Sequence, residues 1–150
     1  PDVKIERRRW EWQGEYELAQ RVRCQEGGGL GWLRPLHESG FRRSFWRILG
    51  DWLSLRGMAR YVIKSEMDEV LAALWIEARF MDTRRLTLMV DPRFRGVYDE
   101  ALLRKAIDRA GWNALLMEHP DDEETTAELL KKYQFMSKRT TIHMRWDVPR

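Results

Sequence analysis

The sequence predicts an α/β chain in which a mixed sheet carries helices on its faces, and three observations support that expectation. Leu86, Leu88 and Val90 alternate with Thr87 and Met89 in a run of strand formers. Asp91-Pro92 ends the run, since proline lacks the ladder donor and restricts the residue before it. From Gly96 the apolar period changes to three and four. Leu103, Ala106, Ile107 and Ala110 share one side, Arg104, Lys105, Asp108 and Arg109 the other, and Gly111 stops the helix. Around this centre the elements run as strands, then strand, helix, strand, helix and strand.

At 150 residues with 43% apolar content the chain can bury one core and is too short for two ordinary domains, so residues 1–150 read as a single domain. It begins at Pro1 with no methionine, which leaves open one half of a longer protein. The formal charge of +3 is small and the signs are mixed, which fits neither a nucleic-acid coat nor a disordered tail. No apolar run is long enough to cross a bilayer and no signal-peptide pattern opens the chain, so a soluble, cytoplasmic protein with no membrane partner is expected. Cys24 is the only cysteine, which excludes an internal disulfide and a cysteine-based zinc cluster and suits a reducing compartment. His37, His119 and His143 show no ligand spacing and read as surface or packed residues, so no metal is expected.

Taken in order, residues 3–12 alternate weakly through Val3, Ile5, Trp10 and Trp12 and predict a first strand. Arg7-Arg8-Arg9 with these aromatics could meet nucleic acid, but Glu6, Glu11, Glu15 and Glu17 dilute the charge, and a solvated face is the stronger reading. Tyr16, Leu18, Ala19 and Val22 predict a helix over 13–23. Gly27-Gly28-Gly29, Gly31 and Pro35 make 25–40 a loop, which is no Walker loop because no Gly-Lys-Ser/Thr follows. Ser39 can cap a helix to Leu55 whose stripe Phe41, Phe45, Ile48, Leu49 and Trp52 reads as core. Residues 58–66 and 70–80 predict a hairpin closed by Glu66-Met67-Asp68-Glu69. A strand over 112–118, a helix over 125–133 behind the acidic run Asp121 to Glu124, and a last strand over 138–146 complete the chain.

Between the central strand and its helix, Arg93, Arg95 and Gly96 stand where the first helical amides are unpaired, a corner suited to an anion; solvated turn residues are the alternative. Arg93 and Gly96 resemble motif A of the GNAT superfamily of acyl-CoA N-acyltransferases, Arg/Gln-x-x-Gly-x-Gly/Ala, with Tyr98 at the last small position. The helix end from Leu129 to Phe135 is similar to the family's Leu-Tyr-x-x-x-Gly-Phe, and the likeness covers about residues 58–148, with 1–57 less clear. It implies a mainly antiparallel mixed sheet with helices on both faces and splayed central strands. It also implies acetyl-CoA or another acyl-CoA as co-substrate and an amine acceptor. The pantetheine arm would lie at Leu88, Met89 and Val90, and the pyrophosphate at Arg93, Arg95, Gly96, Val97 and Tyr98. The loop at 25–40 would wall the acceptor site, with Trp32 and Leu33 as its apolar tip.

Acyl transfer needs a base to free the amine and an acid for the departing thiolate. Where the family places its acidic tyrosine this chain has Leu130, and Gln134 and Glu123 replace its glycine and asparagine; Tyr133 or Tyr98 could substitute. Glu77, within the apolar Leu74-Trp75-Ile76-Glu77-Ala78, is the first choice of base ahead of Asp91 and Glu118, the alternative being a solvent-facing carboxylate. The departures keep a second class open, a catalytically silent GNAT domain with a structural, ligand-binding or interaction role, beside a second GNAT domain or a homodimeric copy.

Overall fold

Strand β3, Val70–Ala78, holds the sheet together, because its unbroken apolar run suits a strand buried on both sides. The computed structural model describes residues 3–8, 12–22, 38–42, 57–78, 83–119 and 123–140. Around β3 the five strands among the described residues lie in chain order: β1 (Glu6–Arg7), β2 (Gly57–Lys64), β3, β4 (Arg84–Val90) and β5 (Leu115–Met117). The first four are antiparallel, and β5 runs parallel to β4. Helices α1 (Trp12–Val22) and α2 (Glu38–Phe41) precede β2, α3 (Tyr98–Ala110) crosses from β4 to β5, and α4 (Glu124–Lys132) follows β5.

The strand period distributes the core over both faces of the sheet. Leu74 and Ile76 of β3, Leu86 and Val90 of β4, and Tyr61 and Ile63 of β2 meet Leu102 and Ala106 of α3. The alternate residues Ala73, Trp75, Met89 and Val62 meet Leu18 and Ala19 of α1 and Phe41 of α2. This is the mixed, mainly antiparallel sheet with helices on both faces that the sequence implies.

Several element boundaries differ from the sequence expectation. The first strand is only Glu6–Arg7, and Trp12 starts α1 instead of ending a strand, because Trp12 packs on the α1 face of the core. Ser39 lies inside the short α2 rather than capping it; residues 43–55 of the expected helix, most of the 25–40 loop, and 141–146 of the last strand lie outside the described residues. Residues 138–140 form no strand. Strand β5 begins at Leu115, not at 112, since Gly111 turns the chain at φ 58° and Asn113 bonds back to the Ala110 carbonyl through its amide and side chain. Trp112 is left fully exposed.

Candidate functional site

The main chain of β4 defines one half of the site. Asp91 N–H donates to the Leu71 carbonyl at 2.9 Å, which makes 91/71 a bonded pair in the β3–β4 register. Antiparallel pairs alternate, so Met89 and Thr87 turn their amides to β3, while Leu88 and Val90 turn theirs to the β5 side. Arg84 N–H, on that same alternate set, indeed donates to the Ala114 carbonyl at 3.0 Å. Pairing with β5 ends at Leu86 opposite Met117, so Leu88 and Val90 have no strand partner there among the described residues. Their side chains face α3, whereas Met89 is fully buried on the α1 face.

The turn after β4 forms the other half. Asp91 caps a 3-10 turn, Pro92–Phe94, and its carboxylate accepts from Arg93 N–H at 3.1 Å and from Arg93 Nε and Nη2 at 2.9 Å. These bonds hold the Asp91 carboxyl down at about 2. Gly96 takes φ 86°, a left-handed conformation that suits glycine, and its N–H donates to Asp99 Oδ1 at 2.5 Å. A Cβ on Gly96 would stand 3.3 Å from the Thr125 methyl of α4. Tyr98 stacks on Phe94 with centroids 4.8 Å apart. Val97 is half exposed, and with Val3, Lys4, Ile63, Lys64 and Arg93 the two rings line an open groove of about 360 Å³.

Three cross-links then draw α4 onto α3. Arg95 Nη2 meets Glu123 Oε1 at 2.7 Å, the Thr126 hydroxyl donates to the fully buried Asp99 at 2.8 Å, and the Tyr133 hydroxyl donates to Glu100 at 2.8 Å. Lys132 Nζ also reaches Glu100, at 2.7 Å, and this bond, with that of Tyr133, lowers the Glu100 pKa. The same carboxylate raises the pKa of the Tyr133 phenol, favouring its protonated form. Both guanidinium groups of the expected anion corner are thus engaged by carboxylates.

Glu77 is half-buried in β3 opposite Met58 and Arg85. By alternation it shares the Trp75 side of the sheet, while Tyr133 stands beside α3 on the other, so the structure does not bring these two residues together. Glu118 is exposed just after β5.

One polar cluster escaped the sequence reading. Glu15 is fully buried; its Oε2 lies 3.1 Å from Arg8 Nε and 3.7 Å from Arg60 Nη1, and Trp75 Nε1 donates to its Oε1 at 3.1 Å. Arg8 and Arg60 both donate to the Phe41 carbonyl, and Arg60 lies 4.1 Å over the Trp75 ring. The expected solvated face of Arg7 to Arg9 is therefore corrected at Arg8. The available signal was Glu15 on the apolar stripe of Trp12, Ala19 and Val22 at helical spacing.

No protein-family model matches the sequence, and no curated protein matches it. Solved structures do. A GNAT superfamily phosphinothricin acetyltransferase from Sinorhizobium meliloti, in complex with AcCoA, superposes with a TM-score of 0.61 at 12% identity, over 89% of this chain and 74% of its own. An aminoglycoside 6'-N-acetyltransferase from Acinetobacter baumannii gives 0.51 at 10% identity over 98% and 99%. The tetramutant of the BH1408 protein from Bacillus halodurans gives 0.54 at 15% over 96% and 100%. The chain therefore has the fold of the GNAT acetyltransferases, as the motif resemblance implied. Among the described residues no helix is long and apolar enough to cross a membrane, and no group of three His, Cys, Asp or Glu could hold a metal.

Proposed function

We propose that this chain is a divergent GNAT-like N-acyltransferase, moving an acetyl or other acyl group from acyl-CoA to an amine. The observation that carries the reading is the end of β4–β5 pairing at Leu86, which leaves Leu88 and Val90 without a strand partner among the described residues, in a fold whose solved neighbour holds AcCoA. Leu88 and Val90 offer main-chain donors and acceptors there, and a pantetheine arm, itself a chain of amides, can bond to them as an added strand does. In the reaction the amine nitrogen bonds to the acyl carbon, the C–S bond breaks, and the thiolate leaves with a proton. Tyr133 is protonated and rests on Glu100, so it serves as acid only after that bond turns over. Glu77 stays our candidate base, acting through water or a mobile acceptor, since it lies across the sheet. Residues 1–150 work as one domain in this reading, alone, as a homodimer or beside a second GNAT domain. The acceptor is an amine in solution, not a membrane or a nucleic acid.

Calorimetric titration with acetyl-CoA tests it, and absence of saturable binding at millimolar ligand would exclude it. A second reading, a catalytically silent GNAT-fold domain, is favoured by Leu130 at the tyrosine position and by the carboxylates that engage Arg93 and Arg95. Steady release of free CoA with a panel of amines, lost on Tyr133→Phe or Glu77→Gln, would rule the second reading out.

A further inference from the structure

Two halves of the same site are in opposite states. The β4 edge at Leu88 and Val90 is open on its β5 side among the described residues, whereas at the start of α3 the Gly96 amide is taken by the chain's own Asp99 and the nearby guanidinium groups by Asp91 and Glu123. We infer that the acyl donor is recognised as a thioester of pantetheine, through its amide-bearing arm, and that the diphosphate and nucleotide of CoA are dispensable for binding. The inference rests on the acyltransferase reading above.

Three features close the corner to a diphosphate. Gly96 N–H already serves Asp99 Oδ1 at 2.5 Å, and Asp99 is held from its other side by the Thr126 hydroxyl at 2.8 Å, fully out of solvent. A Cβ on Gly96 would stand 3.3 Å from the Thr125 methyl, so α4 packs close against this turn. Neither nearby guanidinium is left over: Arg95 is on Glu123 and Arg93 on Asp91, and Lys132 is on Glu100. A diphosphate here would meet Asp99 and Glu100 in the first turn of α3 as like charges. The arm itself carries no charge, and the open strand edge offers it what amides need.

The test titrates the chain calorimetrically with S-acetyl-pantetheine and with acetyl-CoA, at low and high salt. The expected dissociation constants agree within about threefold and neither weakens with salt, because no ion pair to phosphate is formed. Asp99→Asn and Glu123→Gln each remove a competing charge, so acetyl-CoA should then bind about tenfold tighter, about 1.4 kcal/mol, with acetyl-pantetheine unchanged. Glu123→Gln leaves the buried Asp99–Thr126 bond intact, so it reads out even if Asp99→Asn fails to fold. An acetylated acyl carrier protein is a third titrant. Tighter binding of it assigns the arm to a carrier, and equal binding to a free thioester; both uphold the inference. If the parent binds acetyl-CoA tenfold or more tightly than acetyl-pantetheine, and Arg95→Ala or salt removes the difference, the diphosphate is recognised and the inference falls while the acyltransferase reading stands. If no titrant binds, both fall.

Discussion

At Gln134 a single side chain records what the fold demands of the backbone. Its φ is 63°, Gln134 N–H bonds the Lys131 carbonyl and Phe135 N–H bonds the Leu130 carbonyl, the paired bonds of a Schellman end to α4. A left-handed Gln is strained, so Gln134→Gly should stabilise the chain by about 1 kcal/mol, read as a higher urea midpoint with an unchanged m-value. The family's glycine at this position was legible in the sequence as a departure, and the retained conformation gives it a physical meaning. Gly96 has the opposite status. Its φ of 86° and the nearby Thr125 methyl mean that Gly96→Val should lose about 2 kcal/mol or more of stability with no ligand present. Asp91 contributes through pH: its carboxyl is lowered from 3.8 to about 2, chiefly by the Arg93 side chain. A depressed carboxyl stabilises the fold above its unfolded value and ceases to as pH falls through its folded one. Since Arg93 is largely in water, about 1 kcal/mol should vanish between about pH 4 and about pH 2, and Asp91→Asn should flatten that part of the acid-unfolding curve. Arg8 and Glu15 show why single charges were least legible. Nothing in the run Arg7-Arg8-Arg9 marks one member as buried; only the partner Glu15, on another element, decides it.

At the scale of elements, long periodic runs were readable and short ones were not. Helix α3 and strands β2, β3 and β4 lie close to their expected spans because each carries a sustained apolar pattern, with Asp91-Pro92 ending β4 and Gly111 ending α3. Strand β1 and the start of α1 were misread, since a two-residue strand carries no period and its place is set by pairing with Val62 and Tyr61. What fixes α1 is Glu15, reached by Arg8 beyond β1, Arg60 of β2 and Trp75 of β3, while both arginines bind the Phe41 carbonyl at the end of α2. Glu15→Ala should therefore cost about 3–5 kcal/mol, because two buried guanidinium groups lose their carboxylate. Chemical denaturation measures the loss, and near-ultraviolet dichroism of Trp75 should change with it. A drop below about 1 kcal/mol would mean that the helical carbonyls alone satisfy both arginines. The candidate site was legible only in part for the same reason. Arg93, Arg95 and Gly96 could be placed at a helix start from sequence, but while the Gly96–Asp99 bond is local, the approach of Glu123 and Thr125 to that start depends on how α4 lies against α3.

For the whole molecule, the likeness to acetyltransferases at 10–12% identity shows that the fold depends on the distribution of apolar residues more than on their identity. That distribution centres on β3. From Val70 to Ile76 it is buried throughout, with Leu74 and Ile76 packed toward α3 and Ala73 and Trp75 toward α1. The two layers share this strand, so neither can lose its packing while the other keeps a complete sheet. Unfolding should then be a single transition, with calorimetric and van't Hoff enthalpies equal. Leu74→Ala opens a cavity on the α3 side alone and should cost about 3 kcal/mol. If the layers are coupled, Trp75 fluorescence on the far face and the helical signal at 222 nm should shift to the same lower midpoint. Separate midpoints, with the Trp75 signal unmoved, would mean that α1 and its face of the sheet hold together without α3, and that the chain is two stacked layers with independent stabilities.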